Sequence, residues 1–168
     1  MTFRQRGGET IVSAKRKSGP IRDTPAQLLN QERFDEANRY AKTAIKDPVV
    51  KAFYKAAAIG GQTAYNVAFS DAFKGPEIEL IDISGYHGNP EDIISIKASK
   101  FLILQMKVTI LDQNGVIVEE GQALVSGEKW KYTVSRENEA VQGSSVIVTA
   151  TNRPGKVTTK EVIDIQCI

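Results

Sequence analysis

A single cysteine, Cys167, leaves no partner for an intrachain disulfide and no ligand set for a cysteine-held metal, so folding must rest on packing. Histidine is equally scarce. The one copy, His87, lies in Gly85-Tyr86-His87-Gly88-Asn89-Pro90, a turn by composition, and is read as a solvated residue, not as part of a Ser-His-acid triad or a metal site. No apolar run approaches the roughly 18 to 20 residues that cross a bilayer. The opening Met-Thr-Phe-Arg-Gln-Arg-Gly-Gly has no apolar centre of a secretory signal, which points to a cytoplasmic assembly or a particle built there. No Gly-x-Gly-x-x-Gly or Walker-type loop follows a strand, and Gly60-Gly61-Gln62-Thr63 reads as an ordinary turn into a helix. Glu91-Asp92 and Glu119-Glu120 are adjacent acids on extended segments, where neighbours point to opposite sides and do not converge on one substrate. The expectation is a protein with no catalytic residue, cofactor or metal.

What is present is a globular composition. Of 168 residues, 41% are hydrophobic and 25% charged, enough to bury a real core. Lysine and arginine number 22 against 20 acids, and the net +2 is unevenly spread. Residues 1–23 carry six basic residues against Glu9 and Asp23, a net +4 that leaves the other 145 residues at −2. This segment holds Gly7-Gly8, Ser18-Gly19-Pro20 and no helical period, while Glu9-Thr10-Ile11-Val12-Ser13 has the β-branched content of a short strand. It reads as an extended basic arm.

Thr24-Pro25-Ala26-Gln27 is a capping box, with Pro25 at the first helical position and Gln27 able to reach back to Thr24. The first helix runs to about Ile45 on a face of Phe34, Ala37, Ala41, Ala44 and Ile45. Asp47-Pro48 starts a second with Val50, Phe53, Tyr54 and Ala57, ended by Gly60-Gly61. Thr63 caps a third with Tyr65, Ala68, Phe69, Ala72 and Phe73, stopped by Gly75-Pro76. Residues 24–75 thus form a helical segment with too small a core to stand alone, expected to pack on itself and on a partner.

After Pro76 the period drops from 3.6 to 2. Strands are predicted over 77–83, 92–98, 102–111, 116–124, 129–135, 145–151 and 158–165, and seven in about 90 residues is sandwich spacing. In the third, Leu102, Leu104, Met106, Val108 and Ile110 share one face, and Asp112-Gln113-Asn114-Gly115 supplies the turn after it. Trp130, Tyr132 and Val134 alternate in the same way, as do Val146, Val148 and Ala150. Residues 76–168 are therefore read as one antiparallel β-sandwich, and the whole chain as α+β.

The segments Ile83-Ser84-Gly85-Tyr86, Val108 to Gly115, Trp130-Lys131-Tyr132-Thr133-Val134 and Ile147 to Gly155 resemble the immunoglobulin-like (Ig-like) modules of bacteria and phages. There, a strand ends in an Asp-x-x-Gly turn, a Trp-x-Tyr strand fills the core and an Ala-Thr-Asp-x-x-Gly-Asn corner precedes the last strand. Asn152 and Lys156 stand where that corner often has Asp and Asn, which removes the acid a calcium role would use. The resemblance covers about half the chain and implies a spacer, adhesion or assembly module.

Two sets of residues are candidate contacts. Thr10, Ile11 and Val12 are suited to add a strand to an exposed sheet edge, with Lys15, Arg16 and Lys17 in an acidic groove of a neighbouring subunit or on phosphates. Phe101, Ile103 and Leu111 fall by strict alternation on the outer face of their strand, where three large apolar side chains imply a cover, either the chain's own helices or a second subunit. The leading expectation is a non-enzymatic structural subunit of a large homomeric assembly, a phage virion or tail-like particle. Its partners would be copies of itself and other structural proteins of the same particle, without a membrane. The alternatives are a surface adhesion module binding glycan or protein, and a nucleic-acid-associated protein acting through the arm.

Overall fold

The computed structural model describes residues 2–6, 9–13, 24–98 and 102–163. The chain divides into two compact units, Met1–Glu32 and Arg33–Ile168.

In the first unit, β1 (Thr2–Arg6) and β2 (Glu9–Ser13) pair antiparallel, with Thr2 opposite Ser13 and Arg6 opposite Glu9. The strand expected at Glu9–Ser13 is present, but its partner lies in the same chain, so the extended arm is a hairpin there. Helix α1 (Pro25–Ala44) begins in this unit on the anticipated capping box. The Thr24 amide donates to Gln27 Oε1 at 2.8 Å and the Gln27 amide to Thr24 Oγ1 at 3.3 Å.

The second unit holds the rest of α1, helices α2 (Pro48–Ala56) and α3 (Ala64–Lys74), and the sandwich. Asp47 caps α2 by accepting from the Val49 and Val50 amides, and Thr63 caps α3 by accepting from Asn66. Alanines make the close contacts between helices: Ala41, Ala64 and Ala68 are buried with Tyr54 and Val67. Phe34, Phe69 and Phe73 cluster beside them, Phe34 meeting Phe69 edge-on at 4.9 Å. Leu102, from the sandwich side, packs into the same helical core. The helices thus pack on one another and, through Leu102, against the sandwich segment.

Eight strands form two four-stranded antiparallel sheets. One has the order β10 (Val157–Ile163), β9 (Ser145–Asn152), β5 (Ile103–Leu111), β6 (Ile117–Gln122). The other runs β3 (Ile78–Asp82), β4 (Ile93–Ala98), β8 (Lys129–Thr133), β7 (Leu124–Ser126). Between them lie Ile94, Ile96, Met106, Val108, Ile110, Val134, Val146 and Val148, all fully buried. Seven predicted strands became eight because the segment read as 116–124 crosses between sheets. Ala123 still bonds to Met106 of β5, and Leu124 already pairs with Lys131 of β8. Gly121 sits just before the crossing, where a Cβ would meet the Tyr132 ring at 2.8 Å, so only glycine lets that ring lie across the strand.

The third predicted strand differs at its start. The pairing of β5 with β9 shifts between Ile103 and Gln105, one extra residue that exchanges the faces upstream of it. Ile103 therefore points inward, 5% exposed and inside the sandwich core, and Leu104 points out at 63%. The outer-face assignment of Ile103 is corrected accordingly, and so is the inward assignment of Leu104.

Trp130 is 6% exposed between the sheets. Trp130→Ala is expected to cost about 3 to 5 kcal/mol in chemical denaturation through the cavity it leaves, and exposed His87→Ala under about 0.5 kcal/mol. A near-neutral Trp130 substitution would contradict the core assignment.

Candidate functional site

The hairpin places Thr10 and Val12 with exposed side chains, Val12 at 54%, and sets Ile11 opposite Arg4. Lys15, Arg16, Lys17 and Phe101 lie outside the described residues. Leu111 is half-buried where β5 ends, opposite Ser145, while Ile103 is in the core, so the two do not form a common outer patch. In the first unit every described side chain, Thr10, Val12 and residues 24–32, is exposed, Leu28 at 48% and Leu29 at 59%.

The most organised polar site was not anticipated from the sequence. It lies where the helices meet the sandwich. Asp71, on the inner face of α3, is 2% exposed, and Asn152, at the end of β9, is 1% exposed. The Asn152 amide uses both of its ends. Its Oδ1 accepts from the Lys156 amide at 2.7 Å within the Asn152–Gly155 turn, and its Nδ2 donates to Asp71 Oδ1 at 2.8 Å and to the Asp71 carbonyl at 3.0 Å. The second Asp71 oxygen, Oδ2, accepts from the Tyr54 hydroxyl at 2.8 Å. Tyr54 in turn meets the Tyr40 hydroxyl at 2.9 Å. With the Tyr54 proton given to Asp71, Tyr40 is the donor of that pair. One chain of hydrogen bonds thus joins α1, α2, α3 and β9.

Electrostatics follow from the burial. Desolvation holds the Asp71 carboxyl above the usual aspartate range, against the opposing effect of the bonds from Tyr54 and Asn152 and of the Arg153 charge. Desolvation likewise pushes the Tyr54 phenol far above its ordinary range, with the Tyr40 and Asp71 bonds adding to the rise. Arg153, next in the turn, lays its guanidinium over the Phe53 ring of α2 at 4.6 Å. The signals that could have revealed this site are an acid in the apolar row of α3, four residues after Val67, and an asparagine where the resembled corner has aspartate. An aspartate there would face Asp71 with a second carboxylate.

A second buried carboxylate, Glu119 of β6, accepts from the Tyr132 hydroxyl at 3.0 Å, the Ser135 amide and hydroxyl, and the Arg136 amide at 2.9 Å. It ties one sheet to the chain that leaves the other. The paired acids of the sequence thus separate: Glu119 is buried structure and Glu120 an exposed ion pair with Lys107 at 2.7 Å. Among the described residues, no group of three or more His, Cys, Asp or Glu could hold a metal ion, and no helix is long and apolar enough to cross a membrane.

No protein-family model matches the sequence, and no curated protein matches it. Among solved structures, CopC from Methylosinus trichosporium OB3b is similar over 52% of this chain and 89% of its own, at 13% identity and a TM-score of 0.39. An engineered protein is similar over 64% of this chain and 27% of its own, at 16% identity and a TM-score of 0.36. Likenesses at that level carry no argument about what this chain does.

Because Asp71 has a raised pKa, the folded chain binds that proton more tightly than the unfolded one. Its contribution to stability is full below about pH 4, the ordinary aspartate value, and is lost as pH rises through the raised value. The stability of the native chain minus that of Asp71→Asn, from urea denaturation at a series of pH values upward from about 3, is expected to fall with rising pH. A flat difference would mean that burial does not perturb this carboxyl. Asn152→Asp keeps the turn acceptor but sets two carboxylates together, and is expected to cost about 3 kcal/mol or more at neutral pH and less in acid.

Proposed function

We propose that the protein is a non-enzymatic structural subunit of a large homomeric assembly, a phage virion or phage-tail-like particle. Residues 1–32 make contacts between copies, and the sandwich, read as an Ig-like module, is the folded body that each copy presents. The observation that carries this reading is the character of the first unit. A two-stranded hairpin and two turns of helix amount to 32 residues, all their described side chains are exposed, and among those are Val12, Leu28 and Leu29. Units below about 40 residues rarely hold a fold without a metal, a disulfide or a partner, and an isolated hairpin is marginal in water.

Charge favours a second copy as that partner. Residues 1–32, with six basic and three acidic residues, carry a net +3, and residues 33–168, with sixteen basic and seventeen acidic, a net −1, so the contact unit and the body of a second copy have opposite signs. The strand Glu9–Ser13 has one edge paired with Thr2–Arg6, which leaves its other edge to extend a sheet of a neighbour. The division of labour expected from the sequence is narrowed by this reading. Helices α2 and α3 belong with the sandwich, and the contact elements are the hairpin and the start of α1.

Deleting residues 1–22 is expected to leave the body folded, with an unchanged thermal transition, and to abolish self-association in size-exclusion chromatography and electron microscopy. A truncated chain that assembles as well as the full one would overturn the reading. If full-length protein stays monomeric and its arm instead confers salt-sensitive retention of nucleic acid, the nucleic-acid-associated alternative takes its place.

A further inference from the structure

We infer that the cleft between the end of α1, the start of α2 and the Asn152–Gly155 turn is a binding site for a free aliphatic α-amino acid, held as its zwitterion. The cleft measures about 260 Å³ and is lined by Tyr40, Thr43, Ala44, Asp47, Val50 and Arg153. That is below the roughly 300 to 1,000 Å³ of sites for drug-sized ligands, which suits one small molecule.

The lining prescribes the chemistry. Arg153 is steadied by the Phe53 ring, and among the described residues no carboxylate lies within ion-pair distance of it. Asp47 spends Oδ1 on the Val49 and Val50 amides, and no partner of Oδ2 is found among the described residues. The two opposite charges line one cleft without pairing with each other, so each is open to a ligand group of the other sign. A lone anion at Arg153 would face Asp47, and a lone cation at Asp47 would face Arg153. A molecule with a carboxylate and an ammonium group satisfies both.

Two further features narrow the class. The Tyr40 proton is committed to Tyr54, which leaves the Tyr40 oxygen as an acceptor for an ammonium group. Ala44 and Val50 offer an apolar wall that fits an aliphatic side chain. The site is independent of the assembly contacts proposed above, since all six lining residues belong to the second unit.

Saturation-transfer NMR on the full-length chain, with L-leucine, N-acetyl-L-leucine and L-leucinamide as probes, separates the contributions of the two charges. L-leucine is expected to bind saturably with a dissociation constant on the order of millimolar, and each blocked analogue about tenfold or more weakly. Arg153→Gln should erase the preference for leucine over leucinamide. Asp47→Asn, which retains a good helix cap, should erase the preference over N-acetyl-leucine. Circular dichroism establishes that both variants are folded. The inference is overturned if L-leucine gives no saturable signal, if the three probes bind equally, or if either folded variant keeps the preference it should lose.

Discussion

The body of this protein depends on a hydrogen bond between two residues 81 apart in sequence, the amide of Asn152 and the carboxyl of Asp71. A buried carboxyl with no ion pair among the described residues is costly, and each oxygen must find a donor. Asn152 supplies one and Tyr54 the other. Because Asn152 also closes its own turn through Lys156, and Tyr54 also receives Tyr40, neither donor can be withdrawn without opening a second element. Burial is tolerable because the network is complete, and completeness holds three helices against the end of β9.

The same economy of polar partners closes the sandwich along its sides. Where β10 and β3 face each other, Thr158 donates to the Pro76 carbonyl at 2.7 Å, and Lys160 to the Ile78 and Glu79 carbonyls. These side chains engage carbonyls of one open edge from the edge of the other sheet. Along the opposite side the chain itself passes from β6 to β7, and Glu119 binds the residues following β8. The sandwich is thus linked at both sides by groups that are neither sheet ladder nor apolar core. A strand added by a neighbour would meet these two sides differently, since one presents side-chain bonds and the other a bent strand with Leu124 and Val125 exposed.

Elements governed by local chemistry were legible from the sequence. Thr24, Asp47 and Thr63 cap the three helices as their spacing required, and Gly115 takes the positive φ that the turn after β5 needs. Alternation correctly assigned Trp130, Tyr132, Val134, Val146, Val148 and Ala150 to the core. What alternation cannot register is an added residue. Ile103 and Leu104 exchange faces because the β5 and β9 ladder slips by one. The crossing at Ala123 was equally hidden, since a strand that changes sheets keeps its period of 2. The junction at Asp71 and Asn152 was hidden because each residue alone has an ordinary local role, helix polar residue and turn cap. Only the acid in the apolar row of α3 and the departure of residue 152 from the resembled corner hinted at a second partner.

If this junction makes helices and sandwich one cooperative body, native-state hydrogen exchange is the measurement that decides it. In the native chain, the best-protected amides of α2 and α3 should open with the same free energy as those of β5 and β9. In Asn152→Ala, the helical amides should exchange through a separate, easier opening while the sandwich keeps its own protection. Helices that already open independently in the native chain, or that are unaffected by Asn152→Ala, would contradict the account.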